Sequence, residues 1–311
     1  MVRRYASGDP SAAALLALSP RVDLAAMVTT PGECAPASVL ALHAAALLLH
    51  SAREAEAKAL IEAGSALSVR QDGGDDFARR WQLAAGYLWQ SYGNHDRAYW
   101  HYQAALRLSH DDPECLLARA TAVEFSALPD GYGAVPVSRD EILTMINRPL
   151  AASTTARSRL LELIARNYED VLARNASLGE ARLRLGRVMA AYGQRTQAVA
   201  DLRAVASSDS DPFLVSVAHL CLAQLAGDTA EAVGEYRAAL EAVPSLRAAW
   251  VGLSHSLLQQ GERVTARAAI EHAFVAEGDP TPDPWVDYHL GRGRAFPGAL
   301  AALRASIAAG Q

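Results

Sequence analysis

Lysine is almost missing from this chain. Lys58 is the single lysine among 311 residues, so arginine carries nearly all of the 29 basic charges, a skew that fits a GC-rich bacterial source. A phosphate-binding loop needs a glycine-preceded lysine before Ser or Thr, whereas Lys58 lies in "EAKAL", and P-loop chemistry is excluded. Schiff-base chemistry would have to use the same residue, in a plainly helical stretch, and is not expected. Cysteine is scarce as well. Cys34, Cys115 and Cys221 are odd in number and far apart, without a C-x-x-C pair or metal-type spacing, so they read as small apolar core residues and suit a reducing compartment. Aromatics make up only 6% of the chain, while alanine and leucine dominate and β-branched runs are rare. Summed helix propensity is therefore high almost everywhere, and the chain reads as all-α. With a net charge of -5 there is no basic excess to attract nucleic acid or an acidic membrane surface, and neither is an expected partner.

Long apolar runs are also lacking. The most apolar stretch, Val39 to Leu49, is interrupted by His43 and is too short to span a bilayer. The first residues, "MVRRYASGDPSAAALLALSP", begin with two arginines in the manner of a signal peptide, but Asp9-Pro10 breaks the segment and the apolar run Ala12 to Leu18 is barely long enough. The expectation is a soluble, cytoplasmic protein, with the periplasm or cell surface as the alternative.

What is present is a period. Asp-Pro pairs recur at 9–10, 112–113, 211–212, 279–280 and 283–284. Asp accepts hydrogen bonds from the free amides at a helix start and proline is tolerated at the first helical position, so most of these pairs should open helices. Asp211 and Asp279 are 68 residues apart, twice 34. Gly86, Ala98, Tyr102 and Ala105 are spaced 12, 4 and 3 apart, and Gly186, Ala198, Leu202 and Val205 repeat those intervals. Trp250, Leu253, Ser254 and Leu257, followed by Gly261, Ala266, Ile270 and Ala273, fit the same frame, as do Gly227, Ala232, Tyr236, Ala239 and Pro244.

On these residues the chain resembles the tetratricopeptide repeat family, whose 34-residue unit places small residues at positions 8, 20 and 27 and large ones at 4, 11 and 24. The best units are 79–112, 179–212, 213–246 and 247–280. The resemblance implies antiparallel helix-hairpin repeats stacked into a right-handed solenoid with a C-terminal capping helix. It divides the chain into an N-terminal helical region of degenerate repeats (1–78), a repeat with its following helix (79–126), an insertion with a short helix (127–154), further repeats (155–280), and a C-terminal loop and capping helix (281–311). Within these, 36–50 and 52–68 should form a hairpin, 156–174 a long helix, and Ser177-Leu-Gly-Glu180 the cap of the next one.

In that family the first helix of each repeat lines a concave groove through positions 2, 5, 9, 12 and 13. Carried over, these become Arg80, Leu83, Tyr87, Gln90 and Ser91 in the first good unit. Glu180, Leu183 and Arg187 follow in the next, Gln224 in the third, and Val251, His255, Leu258 and Gln259 in the last. Arginines and amides over apolar patches suit a peptide or an extended loop, because a guanidinium can fork onto a carboxylate. The lysine-and-asparagine clamp of chaperone-binding members is missing. The resemblance implies a non-enzymatic scaffold or adaptor that binds a protein or peptide partner. A permanently assembled subunit of a larger bacterial complex (envelope, energy-converting or filamentous) is the alternative, with self-assembly among its forms.

Nothing in the remaining motifs calls for a cofactor or a metal. "GLSHS", 252–256, places Ser254 at the small-residue position in mid-helix, without the second glycine of a nucleophile elbow, and reads as packing. His43 and His50 share a helix face two turns apart with no carboxylate between them, and H-E-x-x-H is absent. "DPWVDYHLGRGRAFPG", 283–298, gathers Trp285, Tyr288, His289 and Arg292 beside glycines. That composition marks either an edge interface or the anchor of the capping helix.

Overall fold

Three second helices begin at Arg195, Thr229 and Arg263, so their starts advance by 34 residues twice. The computed structural model describes residues 37–70, 74–127, 154–274, 284–289, 291 and 294–309. The insertion expected at 127–154 falls almost wholly outside them. Among the described residues every regular element is a helix: α1 (Ala37–His50), α2 (Glu54–Arg70), α3 (Gly74–Ser91), α4 (His95–Leu108), α5 (Pro113–Ala127), α6 (Thr154–Arg174), α7 (Gly179–Tyr192), α8 (Arg195–Ser208), α9 (Pro212–Leu225), α10 (Thr229–Ala242), α11 (Arg247–Gln259), α12 (Arg263–Phe274), α13 (Pro284–His289) and α14 (Phe296–Ala309).

Local chemistry sets the helix ends. Asp211 caps α9, its side chain accepting from the Phe213 amide at 2.9 Å with Pro212 in the first turn. Asp112 accepts from the amides of Glu114 and Cys115 at the start of α5. At α10 the Asp228 carboxylate accepts from the Glu231 amide while the Glu231 carboxylate accepts from the Gly227 amide, a reciprocal cap. Ser177 does not cap α7. Its hydroxyl donates to Asn175 Oδ1 at 2.7 Å, and Leu178 takes the N-cap position without a side-chain bond. Between the helices of three hairpins Gly93, Gly193 and Gly261 occupy the same repeat position with φ of 76°, 88° and 82°. A side chain there would be strained, which is why glycine recurs.

The chain divides into two compact units, one of residues up to Val123 together with Gly291 onward, the other running from Glu124 to Leu290. In the first unit, α1 with α2 and α3 with α4 form antiparallel hairpins, and α14 packs on α3 and α1. Trp81 is fully buried and donates from Nε1 to the Ser38 carbonyl at 2.8 Å. Gly86 lets the Tyr102 ring lie directly on the α3 backbone: a Cβ added at Gly86 would fall 2.6 Å from Tyr102 Cδ1. The small residue at position 8 and the aromatic at position 24 are thus a matched pair.

In the second unit, α6 packs on α7, and the hairpins α7/α8, α9/α10 and α11/α12 follow one another with each second helix against the next first helix. The close approach recurs between neighbouring hairpins, where a Cβ at Gly252 would lie 2.7 Å from the Tyr236 hydroxyl oxygen. Ser254 donates to the Ala266 carbonyl at 2.8 Å and is buried, so it joins α11 to α12 as a packing residue.

Candidate protein-binding surface

The first helices α3, α7, α9 and α11 carry the positions that repeats of this kind turn inward, and the structure treats them in two ways. On α3, Leu83, Tyr87 and Gln90 are buried. The Gln90 amide donates to the Gly291 carbonyl at 3.0 Å and accepts from the Tyr102 hydroxyl at 2.5 Å. The Tyr87 hydroxyl donates to Glu114 at 3.2 Å. Leu300 and Leu303 of α14 are buried in the same unit, where α14 lies against α3. Arg80 stays half-exposed in an ion pair with Asp76 at 2.8 Å, and Ser91 donates back to the Leu88 carbonyl.

In the second unit the short helix α13 meets the equivalent positions of α7 and α9. Leu183, Leu214, Val217 and Cys221 share one buried apolar cluster with Tyr288, and Trp285 packs against that cluster and against the one formed by α9 to α12. Phe213 and Tyr288 meet edge to face with centroids 5.8 Å apart. Arg187 sits beneath this turn, its guanidinium 5.3 Å from the Trp285 ring centroid and 5.1 Å from that of Tyr288, with one nitrogen 3.3 Å from His289 Nδ1. Burial, reinforced by the Arg187 charge, holds the His289 imidazole below its ordinary pKa. Burial pushes the Tyr288 phenol well up. Arg292 lies outside the described residues.

Sequence reasoning missed the charged cluster that supports this site. Arg184 and Glu124 are both buried, at 2% and 0% exposure, and face each other at 3.4 Å. Arg184 also pairs with Glu180 at 2.9 Å, and the Tyr168 hydroxyl donates to Glu124. Desolvation disfavours the Arg184 cation, but the fields of Tyr288, Glu180 and Glu124 outweigh it and hold the guanidinium charged. The Glu180/Arg184 spacing of four was the only local signal; Glu124 comes from another helix.

On α11 the same positions are open. Val251 and Leu258 are 47% and 54% exposed and His255 and Gln259 stand beside them, the Gln259 amide donating to His255 Nε2 at 2.9 Å. Gln224 at the end of α9 is likewise exposed. Among the described residues no helix is long and apolar enough to cross a membrane, and no group of three metal-ligating side chains occurs.

No family model matches the sequence, and no curated protein matches it. Solved structures do. That of pilF from Pseudomonas aeruginosa is 14% identical, covers 74% of this chain and 90% of its own, and superposes with a TM-score of 0.51. A tetratricopeptide repeat protein from Parabacteroides merdae is 15% identical over 88% of this chain and 94% of its own, with a TM-score of 0.50. At such identity the likeness speaks for the fold. The chain is a helical-hairpin repeat protein. Its fold is that of the tetratricopeptide repeat.

Proposed function

We propose that this protein is a non-enzymatic protein-interaction scaffold that binds a protein or peptide partner through the first-helix faces of its repeats. One observation carries the reading: Val251 and Leu258, two large apolar residues a helical heptad apart, are half-exposed on α11 beside His255 and Gln259. Apolar side chains framed by polar ones are the composition of a docking surface.

Affinity capture from a lysate of the native cell, comparing wild type with Val251→Glu/Leu258→Glu, tests this. Both residues are exposed, so the variant should keep wild-type helicity and stability to within about 0.5 kcal/mol. The expected result is a defined protein retained by wild type and lost by the variant. Identical retention by both would overturn the reading.

A further inference from the structure

From the way α13 is seated, we infer that the α7/α9 face is a recognition site for one helical turn bearing two aromatic side chains three residues apart, and that a partner segment of this chemistry docks there by displacing α13. This deepens the scaffold reading and rests on it. The face is already a filled binding site. Trp285 and Tyr288 project from a six-residue helix onto Leu183, Leu214, Val217 and Cys221, and every one of these four residues except Leu183 comes from α9. Two guanidiniums specify aromatic rings rather than aliphatic chains: Arg184 lies 4.4 Å and Arg187 5.1 Å from the Tyr288 centroid, and Arg187 lies 5.3 Å from that of Trp285. Trp285 and Tyr288, an i,i+3 pair on one helix face, are themselves stacked with centroids 6.2 Å apart.

The resident turn is an imperfect occupant. The Tyr288 hydroxyl is buried and makes no hydrogen bond among the described residues. A phenol in that state carries an uncompensated desolvation cost that a phenylalanine would not. A six-residue helix also contributes little stability of its own. A partner turn of the form Trp-x-x-Phe therefore fits the face better than the chain's own Trp-x-x-Tyr. What the native turn has instead is tethering, which makes it compete at an effective concentration of order millimolar.

The test uses the full chain and a fluorescein-labelled peptide of residues 282–291, read by anisotropy. Wild type should bind it weakly because the tethered copy competes. The Trp285→Ala/Tyr288→Ala chain, whose face is vacated, should bind at least on the order of tenfold tighter, and a peptide with both aromatics changed to alanine should not bind. Equal affinity of wild-type and vacated chains, or equal binding of the alanine peptide, overturns the inference. If circular dichroism shows the vacated chain to be unfolded, Tyr288→Phe decides. That substitution improves the internal fit, so it should weaken peptide binding relative to wild type, and unchanged or tighter binding overturns the inference. Failure here is separable from failure of the scaffold reading. Peptide docking without any partner lost through Val251→Glu/Leu258→Glu keeps this site and removes the wider reading. The reverse pattern keeps the scaffold and removes the aromatic-turn site.

Discussion

The guanidinium of Arg184 lies 4.4 Å from the centroid of the Tyr288 ring while pairing with Glu124 on another helix and Glu180 on its own. One buried cation thus joins the end of α5, the first turn of α7 and the short helix α13. Each partner answers a different part of its cost: the two carboxylates balance the charge, and the ring supplies a face where water is excluded.

Removing one partner of such a cluster should be much worse than removing the charges together. Arg184→Ala leaves Glu124 buried without its cation and should cost about 3–5 kcal/mol. Arg184→Met/Glu124→Gln keeps an acceptor for the Tyr168 hydroxyl and leaves no buried charge between the two positions, so it should cost far less. Urea denaturation midpoints of the two variants check this, and equal losses would mean that packing, not charge, dominates the site.

The glycines at repeat position 8 should differ in their tolerance of a methyl group. A Cβ at Gly86 would strike the Tyr102 ring, which is fully buried and has no room to turn aside, whereas one at Gly186 would meet Leu202 Cγ at 3.0 Å. Gly86→Ala should therefore destabilise by about 1–3 kcal/mol. Gly186→Ala needs a shift of a few tenths of an ångström and regains some helix propensity, of up to about 1 kcal/mol. Thermal unfolding of both variants should show a clear loss for the first and a small change for the second.

The same pairs explain what was legible in the sequence. Gly86 with Tyr102 and Gly186 with Leu202 are sixteen residues apart, a local interval that one repeat contains whole, so the period and the hairpins could be read directly. The inward positions could be located but not their fate. Leu83, Tyr87, Gln90 and Arg187 fall at groove positions by register, yet all four are buried, and Gln90 bonds to Gly291 while Arg187 lies against α13, segments far along the chain. Register fixes which way a side chain points, and only long-range packing decides whether anything lies over it. The aromatic composition of 283–298 was the one trace of that covering. It could be read as an interface or as an anchor, and in the structure Trp285 and Tyr288 pack on their own chain.

Two thiols should be chemically silent in the folded protein. Burial, then the Asp112 carboxylate, pushes the Cys115 thiol up to about 12, and burial pushes Cys221 up to about 11. Since the thiolate is the nucleophile, alkylation at pH 8 should be slowed by two to three orders of magnitude, roughly, relative to a free cysteine. Residue-resolved mass spectrometry after iodoacetamide treatment should find both unmodified in native protein and both labelled in urea. Rapid native labelling of either would show that its helix opens readily.

Acid should weaken the first unit through His101. Its ring projects from α4 against α3, edge-on to Trp81, with Nδ1 2.8 Å from Gln82 Oε1, and desolvation at this contact lowers its pKa to about 4. The bond to Gln82 Oε1 is made by a protonated Nδ1, and the Gln82 amide is itself fixed by donating to Ser65. In the unfolded chain the same imidazole titrates near 6.5. Between these values the unfolded state binds a proton that the folded state refuses, so the His101 contribution is fully present above about pH 6.5 and is lost as the pH falls towards 4. The difference of two to three pKa units corresponds to about 3 kcal/mol. His101→Gln can still donate to Gln82 but carries no titratable proton, so its stability should fall less steeply over that window, and its curve should parallel wild type above pH 7. Urea midpoints measured from pH 8 to pH 4 give the comparison. Parallel curves across the whole range would mean that His101 takes up its proton without disturbing the α3/α4 contact.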